Sequence, residues 1–472
     1  MKTIGKNIWI ALLLMSLSAC NNWLDVSPKT ELKAEDMFAT EAGFRDALIG
    51  VYSLMCRDVA YGRDMTYGYM DVLAQYYSSP LKTTTSGYPH NFKNAAEYKY
   101  TEENEEERIL SIWENYYAAI ANINHALDFI DRDLSVFSSP VVHDVYKGEF
   151  LALRGLLHFD VLRLFASSPV MNHHTGMDAV AIPYVEIYTH VAQPQLTVKE
   201  VLDKVVEDLS AAKVLMQGKE EFDEEDASLP MYNRGQRMNY YAVTAALARV
   251  YLYSGDSGKA LAEVKEVIGE PEGEKPTEYR LASTAATATD PMFSTELIFT
   301  LDVQKLKDMS EGYFMESSSS SILGMSNNGK KNIYNSSGLD SEFRGSWLSN
   351  LTDGASWTLA KFKDMKYVPL FKISELYLIA AECAGGETGM AYLNELRIHR
   401  GLNRLISSEE LDNHIYQEYR REFIGEGQLF FFYKRKGFEV IGAEDNIAIP
   451  DAEKVYNLPI PLSEKEFGNI KQ

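Results

Sequence analysis

One run of apolar residues constrains this chain more than any other. Ile109, Ile112, Tyr116, Ile120, Ile123, Leu127 and Ile130 follow one another at intervals of three or four. That spacing keeps a single greasy stripe along one side of an α-helix, and the stripe requires a partner to cover it. The partner comes next in the chain. After the turn sequence Ser138-Ser139-Pro140, residues Leu153, Leu157, Val161 and Leu164 repeat the period within a helix expected over Val142–Phe165. Two amphipathic helices joined by a short turn form an antiparallel hairpin.

The same pattern recurs. A helix is expected over Glu41–Met55, with Phe44, Leu48, Val51 and Met55 in phase. Thr197 and Glu200 form a capping box ahead of Val201, Val205, Leu209 and Ala212. A further helix spans Met238–Tyr253 and stops at Gly255, a residue suited to a left-handed cap. Ala260–Ile268 completes that hairpin. Tyr251-Leu252-Tyr253-Ser254-Gly255-Asp256, followed by Lys259-Ala260-Leu261, resembles the second helix and turn of a tetratricopeptide repeat. A third helical region follows Pro369: Ile373, Leu376, Tyr377, Ala380, Ala381 and Ala384 make a stripe ended by Gly385-Gly386. Met390–Arg400 begins the next helix, and Ser407 with Glu410 predicts a second capping box ahead of a helix reaching Ile424. The fold class is mainly α: tetratricopeptide-like helical hairpins as scaffold, with a loop-rich face and minor short strands. Leu297–Leu301 is the clearest strand.

Between the hairpins lie two irregular, aromatic-rich blocks. Residues 60–100 carry Tyr61, Tyr67, Tyr69, Tyr76, Tyr77, Tyr88, Tyr98 and Tyr100 among Gly, Ser, Thr and Pro. Residues 270–365 are rich in small and turn-forming residues and hold Tyr313, Phe314, Tyr334, Phe343, Trp347 and Trp357. Long stretches without a period are functional or disordered, and this tyrosine content argues against disorder.

The N-terminus reads as an export signal. Lys2 and Lys6 precede an apolar run from Ile8 to Ala19, too short to span a bilayer, and Leu17-Ser18-Ala19-Cys20 supplies small residues before a cysteine. Cleavage before Cys20 and lipidation of its thiol would leave a globular protein on a multi-chain lipid anchor. The expected layout is a signal peptide at 1–19, a tether at 20–40, and N- and C-terminal regions at 41–315 and 316–472 packed as one unit.

Charge excludes some partners. The chain carries 46 basic and 68 acidic residues, net −22, and loses two more positive charges with the signal. Such a surface does not suit nucleic acid or anionic headgroups. The acidic runs Glu102–Glu107 and Glu220–Asp226 read as solvated surface. Beyond Cys20 only Cys56 and Cys383 remain, and the helical pattern around Cys383 favours a free thiol. His173-His174 lacks identifiable metal partners, and no zinc spacing or cofactor motif is present. His158 reads as a packing histidine, and Glu418, Arg420, Arg421 and Glu422 as a structural ion-pair network.

Several segments together resemble one family. Trp23-Leu24-Asp25-Val26 with Pro28 looks like the start of a SusD/RagB protein, and Phe44–Tyr52 is similar to its first helix. Arg154-Gly155-Leu156-Leu157-His158-Phe159-Asp160-Val161-Leu162-Arg163-Leu164-Phe165 resembles its most typical segment. Ile182-Pro183-Tyr184, Glu375–Glu382, Leu393–Arg397, Glu418–Phe423 with Gly425-Glu426-Gly427, and Asn457–Pro461 follow in family order. The chain departs from the pattern at Gln428–Arg435, where Phe430-Phe431-Phe432 replaces the usual residues. The resemblance implies four tetratricopeptide-like helix pairs and a looped binding face. It also implies a cell-surface lipoprotein, anchored in the outer membrane, that passes oligosaccharide to a TonB-dependent, SusC-like transporter. Peptide binding for the same kind of transporter is the alternative; a glycosidase would need two carboxylates in a cleft and is the less favoured reading.

Sugar binding needs flat apolar rings and a polar rim. The candidates are therefore loop aromatics: Tyr76, Tyr77 and Tyr88 from the first irregular block, and Tyr313, Phe314, Trp347 and Trp357 from the second. Arg344 and Asn91 would supply hydrogen bonds. No catalytic, metal or cofactor residue is expected.

Overall fold

The structure is a computed structural model that describes residues 34–77, 92–171, 174–219, 233–283, 290–315, 322–334, 342–352, 354, 356–363, 365–468 and 470. Eight helices form its frame: α1 (Glu41–Met55), α2 (Glu103–Ile130), α3 (Pro140–Phe165), α4 (Val198–Met216), α5 (Tyr240–Ser254), α6 (Ser257–Ile268), α7 (Ile373–Ala384) and α8 (Gly386–His399). Each packs on the next in chain order, so four consecutive pairs build one right-through stack. Among the described residues no helix is long and apolar enough to cross a membrane.

Local chemistry sets the helix ends. Thr40 caps α1 by accepting from the Gly43 N–H at 3.2 Å, and Ser139 caps α3 by accepting from Val142 N–H at 3.2 Å. Pro140 occupies the first turn of α3, where a missing N–H costs nothing. The Thr197–Glu200 box forms in both directions, at 3.2 and 2.8 Å. Gly255 ends α5 at φ +85°. The acidic run at the start of α2 sits at the positive end of that helix dipole, and Glu105 within it is buried beside Arg108, not solvated.

Two helix starts differ from expectation. α8 begins at Gly386, because Gly385 and Gly386 both adopt positive φ and turn the chain within two residues. Close packing follows: a Cβ on Gly389 would lie 2.3 Å from the Ala381 carbonyl oxygen. The Ser407–Glu410 box does not form. The Ser407 hydroxyl accepts from the Glu409 N–H instead, and the helix Leu411–Glu422 starts without a side-chain cap. A local Ser–backbone turn has won over the cap.

The expected strand is β1 (Leu297–Asp302), and it pairs antiparallel with β2 (Tyr367–Lys372), Leu297 opposite Lys372. This ribbon crosses the sequence boundary near residue 315 and packs on α5. Asn239, the cap of α5, also donates to the Ile298 carbonyl at 2.8 Å.

Residues 60–77 and 92–100 form a plug, not an exposed face. Tyr61, Tyr67, Tyr69, Tyr76, Tyr77 and Tyr100 are all buried. Their rings fill the core while several hydroxyls satisfy carbonyls in the last turns of helices and in turns. Tyr76 donates to the Arg420 carbonyl at 2.7 Å, Tyr77 to Tyr67 at 2.8 Å and Tyr100 to Val455 at 2.7 Å. Asp71, fully buried, accepts from the N–H groups of Gly425 (2.6 Å) and Gly427 (3.1 Å). Gly427 sits at φ +70°, and a Cβ there would lie 2.1 Å from the Met65 carbonyl oxygen. The Gly-Glu-Gly turn is thus a socket for the tyrosine plug.

A buried ion network locks the C-terminal half. Arg344 bonds Glu342, Glu418 and Glu422, with closest contacts of 2.6, 2.7 and 2.8 Å. Arg400 bridges Glu296 and Glu422, and Arg397 and Arg421 complete the shell of Glu418. Burial alone would raise the Glu418 and Glu422 carboxyls; the surrounding guanidiniums and Lys372 reverse this and hold both below the usual range. The expected network forms around Glu418, Arg421 and Glu422 and extends beyond them, but Arg420 stands outside it and pairs with Asp445 at 2.9 Å.

Candidate functional site

A concavity of about 1080 Å³ opens beside the C-terminal half of α1. Four separate segments wall it. The last turn of α1 and the residue that caps it present Tyr52, Ser53 and Cys56. The turn after α1 adds Arg57, Asp58 and Arg63. The segment before α5 contributes Asn233, Gln236 and Arg237. The end of β1 and the helix Leu306–Phe314 close the far side with Asp302, Lys305, Asp308 and Tyr313. The volume slightly exceeds the ~300–1,000 Å³ range of small-molecule sites, room enough for a ligand of several rings.

One wall is held rigid from behind. Glu149 of α3 is fully buried and accepts from Arg234 (2.8 Å), Arg237 (2.7 Å) and the Tyr52 hydroxyl. Burial would raise its carboxyl, and the Arg237 and Arg234 guanidiniums more than offset this, so it stays below the usual range. Tyr52 also accepts from the Met238 N–H at 2.8 Å, which fixes its ring in the wall. On the opposite side Arg63 is fixed by Asp64 at 2.7 Å and reaches the Tyr313 hydroxyl at 3.3 Å. Burial, with Asp302 adding to it, pushes the Cys56 thiol up to about 12. Cys56 therefore stays protonated near neutral pH and is no nucleophile. Cys56 and Cys383 are both free thiols.

The cleft offers ring edges, donors and acceptors on stiff elements. Among the described residues no cluster of three metal-ligating side chains is present. Such a lining can hydrogen-bond a polar ligand through donors and acceptors alike.

The residues expected to line the site fare unevenly. Tyr313 borders the cleft, but it is a core residue and offers no open ring face. Tyr76, Tyr77, Phe314 and Trp347 do not border it, and all four are core residues, which corrects the reading of their rings as open platforms. Tyr77 and Phe314 join Tyr67 in an aromatic cluster with centroid spacings of 5.6–6.0 Å. Trp347 donates its indole N–H to the Pro291 carbonyl at 2.8 Å, and the Lys361 ammonium covers its ring at 3.6 Å. Arg344 is spent on three carboxylates and has no exposed surface. Trp357 is half-buried on the strand Ser356–Leu359, with Lys330 over its ring at 3.2 Å and its N–H on Asn327. Cys20, Tyr88, Asn91, His173 and the run Glu220–Asp226 lie outside the described residues. His158 packs as expected: its Nδ1 meets the Arg154 carbonyl, its Nε2 accepts from Val185 N–H, and its ring stacks on Tyr184 at 3.8 Å. Burial pushes it down to about 3, so it is neutral.

Sequence reasoning missed Tyr52, Arg237 and Asp302. Tyr52 was visible only as part of a helix, and Arg237 as a polar residue after an acidic run. Asp302 carried the one usable signal, a charged residue directly ending the apolar strand Leu297–Leu301.

Comparison with known proteins gives this architecture a lineage. A family described as "Starch-binding associating with outer membrane" matches residues 22–252, and the SusD family matches residues 216–461. SusD-like protein P25 of Formosa agariphila is 20% identical over 301 residues, 62% of this chain and 50% of that protein. The chain thus matches about half the length of that curated relative. Among solved structures, a SusD superfamily protein from Bacteroides fragilis superposes with TM-score 0.71 at 22% identity, covering 93% of this chain and 100% of the other. A SusD-like carbohydrate binding protein from Bacteroides vulgatus gives 0.70 at 17%, covering 90% and 96%. A laminarin binding SusD-like protein gives 0.67 at 18%, covering 92% and 99%. These likenesses establish a shared fold, and the family match over more than half the residues makes the chain a member of the SusD family.

Proposed function

We propose that this protein is a cell-surface lipoprotein that binds oligosaccharide in the cleft beside α1 and delivers it, uncut, to a TonB-dependent outer-membrane transporter. The observation that carries the reading is the cleft itself: about 1080 Å³, with the half-buried Tyr52 in its wall and a lining of charged and amide groups. Sugar rings present C–H faces to aromatic side chains and hydroxyls to mixed donors and acceptors, and this lining supplies both. The carbohydrate-binding and laminarin-binding neighbours support the ligand class. Family membership and the N-terminal sequence support lipidation at Cys20 and a SusC-like partner.

Affinity electrophoresis in gels containing laminarin, amylopectin, xylan or polygalacturonate tests the binding. At least one polymer should retard the native protein, and Ser53→Trp, which fills the cleft from an exposed position on α1, should abolish the retardation. Unchanged retardation of Ser53→Trp would place the ligand elsewhere. Prolonged incubation should release no reducing ends; steady release would make the protein a glycosidase. Cys20→Ala should move the protein from the membrane to the soluble fraction of the native host.

A further inference from the structure

A second concavity, about 550 Å³, runs along α2 and shares no lining residue with the cleft beside α1. Trp113, Tyr117 and Ala121, spaced by four on α2, line it on one side. Ile187 and Val191 line it from the segment after Pro183, and Ser463 borders it from the helix Leu462–Phe467. Ile187, Tyr188 and Val191 are 53%, 53% and 59% exposed, three large apolar side chains within five residues. A cluster of this kind, beside a groove, marks a contact surface.

The N-terminal chain arrives at the same face. The short helix Ala34–Met37 leads into Phe38, whose buried ring lies 5.4 Å from His125 and 5.0 Å from Phe129 of α2. His125 stacks on Tyr188 at 4.1 Å, the neighbour of Ile187 in the groove. On α2 itself, His125 stands one turn beyond Ala121, on the face that continues through Tyr117 to Trp113. From His125 to Trp113 that face is about 18 Å long. The chain preceding Ala34 can cover this length, because from Ala34 back to Trp23 an extended backbone spans up to about 40 Å. It also has the side chains to fill an apolar groove: Trp23, Leu24 and Val26 are three apolar residues in four positions. The family match opens at residue 22, so this stretch carries the family pattern and is more than a spacer.

We infer that Trp23–Pro28 docks in the groove along α2 as an intramolecular strap. Attachment through residues 29–33 keeps the strap at an effective concentration on the order of millimolar, so a modest affinity suffices to hold it. With Trp23 seated, only Asn21 and Asn22 separate Cys20 from the protein body. The reach from Cys20 is then about 10 Å, against about 50 Å for the free segment up to Ala34. A lipid on Cys20 would hold the α2 face close to the bilayer instead of letting the protein swing on a long leash. That consequence needs the anchor; the docking itself is independent of both anchor and saccharide.

Hydrogen–deuterium exchange of the chain from residue 20 onward, with Cys20→Ser and in detergent-free buffer, tests the strap. Amides of residues 185–193 should exchange at least tenfold more slowly in this chain than when it also carries Trp23→Ser, Leu24→Ser and Val26→Ser. Amides of residues 23–33 should be protected, and Ile187→Asp should release them. Should Ile187→Asp not fold, Ser463→Trp, at another exposed lining residue, decides in its place. Exchange of 23–33 at the rate of free chain overturns the inference. Protection of 23–33 that survives both groove substitutions does so too, because the segment would then lie elsewhere. If 185–193 become protected only on adding the outer-membrane transporter or a soluble glycan, with 23–33 open, the groove belongs to that partner and the strap is refuted.

Discussion

Replacing Glu422 by glutamine should be among the most damaging single-atom changes in this protein. Its carboxylate is fully buried and bonds Arg344 (2.8 Å), Arg400 (2.9 and 3.0 Å) and Lys372 (3.1 Å). The substitution preserves volume but removes the only charge those three cations share. Glu418, Glu342, Glu296 and Glu426 remain, so Arg344 keeps two carboxylates and Arg400 and Lys372 one each. Breaking a buried pair from one side costs about 3–5 kcal/mol, because the partner charge stays buried. For roughly 440 residues at ~2.1 cal/mol/K each, the unfolding entropy is about 0.9 kcal/mol/K, so the melting point should fall by ~3–5 °C. Differential scanning calorimetry reads this directly. Arg404→Gln is the control: Arg404 meets Glu272 at 3.0 Å with both side chains more than half exposed, and its loss should move the melting point by under ~1 °C. If Glu422→Gln melts within 1 °C of the native protein, the network is not held by charge, and the argument from burial fails.

Other outcomes follow from the same structure. Glu382 is held down at about 2: burial opposes this, but Arg435 at 2.6–2.7 Å and Lys436 at 3.0 Å prevail. A depressed carboxyl stabilises fully above its unfolded value near 4.5 and loses that contribution as pH falls toward 2. Up to about 3 kcal/mol should disappear across that window in urea titrations, and Glu382→Gln should flatten the slope there. Gly427→Ala forces a Cβ against the Met65 carbonyl at positive φ, and should lower soluble yield and melting temperature. Tyr76→Phe leaves the Arg420 carbonyl without its donor and should cost about 1–2 kcal/mol in chemical denaturation while leaving glycan retardation unchanged. Lost binding without lost stability would restore Tyr76 to the ligand site.

The scaffold was legible because its signals are local. Period and caps gave Glu41–Met55 as observed, and placed α3, α4, α5 and α7 within a few residues. Ser407 misled because a capping box and a short Ser turn share one sequence pattern, and only the surrounding chain chooses between them. The tyrosines misled for a deeper reason. A segment without helical period can still be core, because open carbonyls at helix ends and turns need donors, and tyrosine provides a large apolar ring with one. The cleft was invisible because α1, the turn after it, the approach to α5 and the end of β1 meet only in the folded chain. Residues 52, 237 and 302 have no short-range signature in common.

The tyrosine plug has a bearing on how the molecule is made. Asp71 and Tyr76 find their partners at positions 425, 427 and 420, and the Leu164 carbonyl waits for the Leu458 N–H. Closing loops of some three hundred residues is slow, and nothing nearer in the chain can substitute. A polypeptide emerging N-terminus first would keep its ring-rich segment uncovered until the final stretch arrived. A version truncated before residue 420 should therefore cling to chaperones or aggregate, even with most of its helices intact.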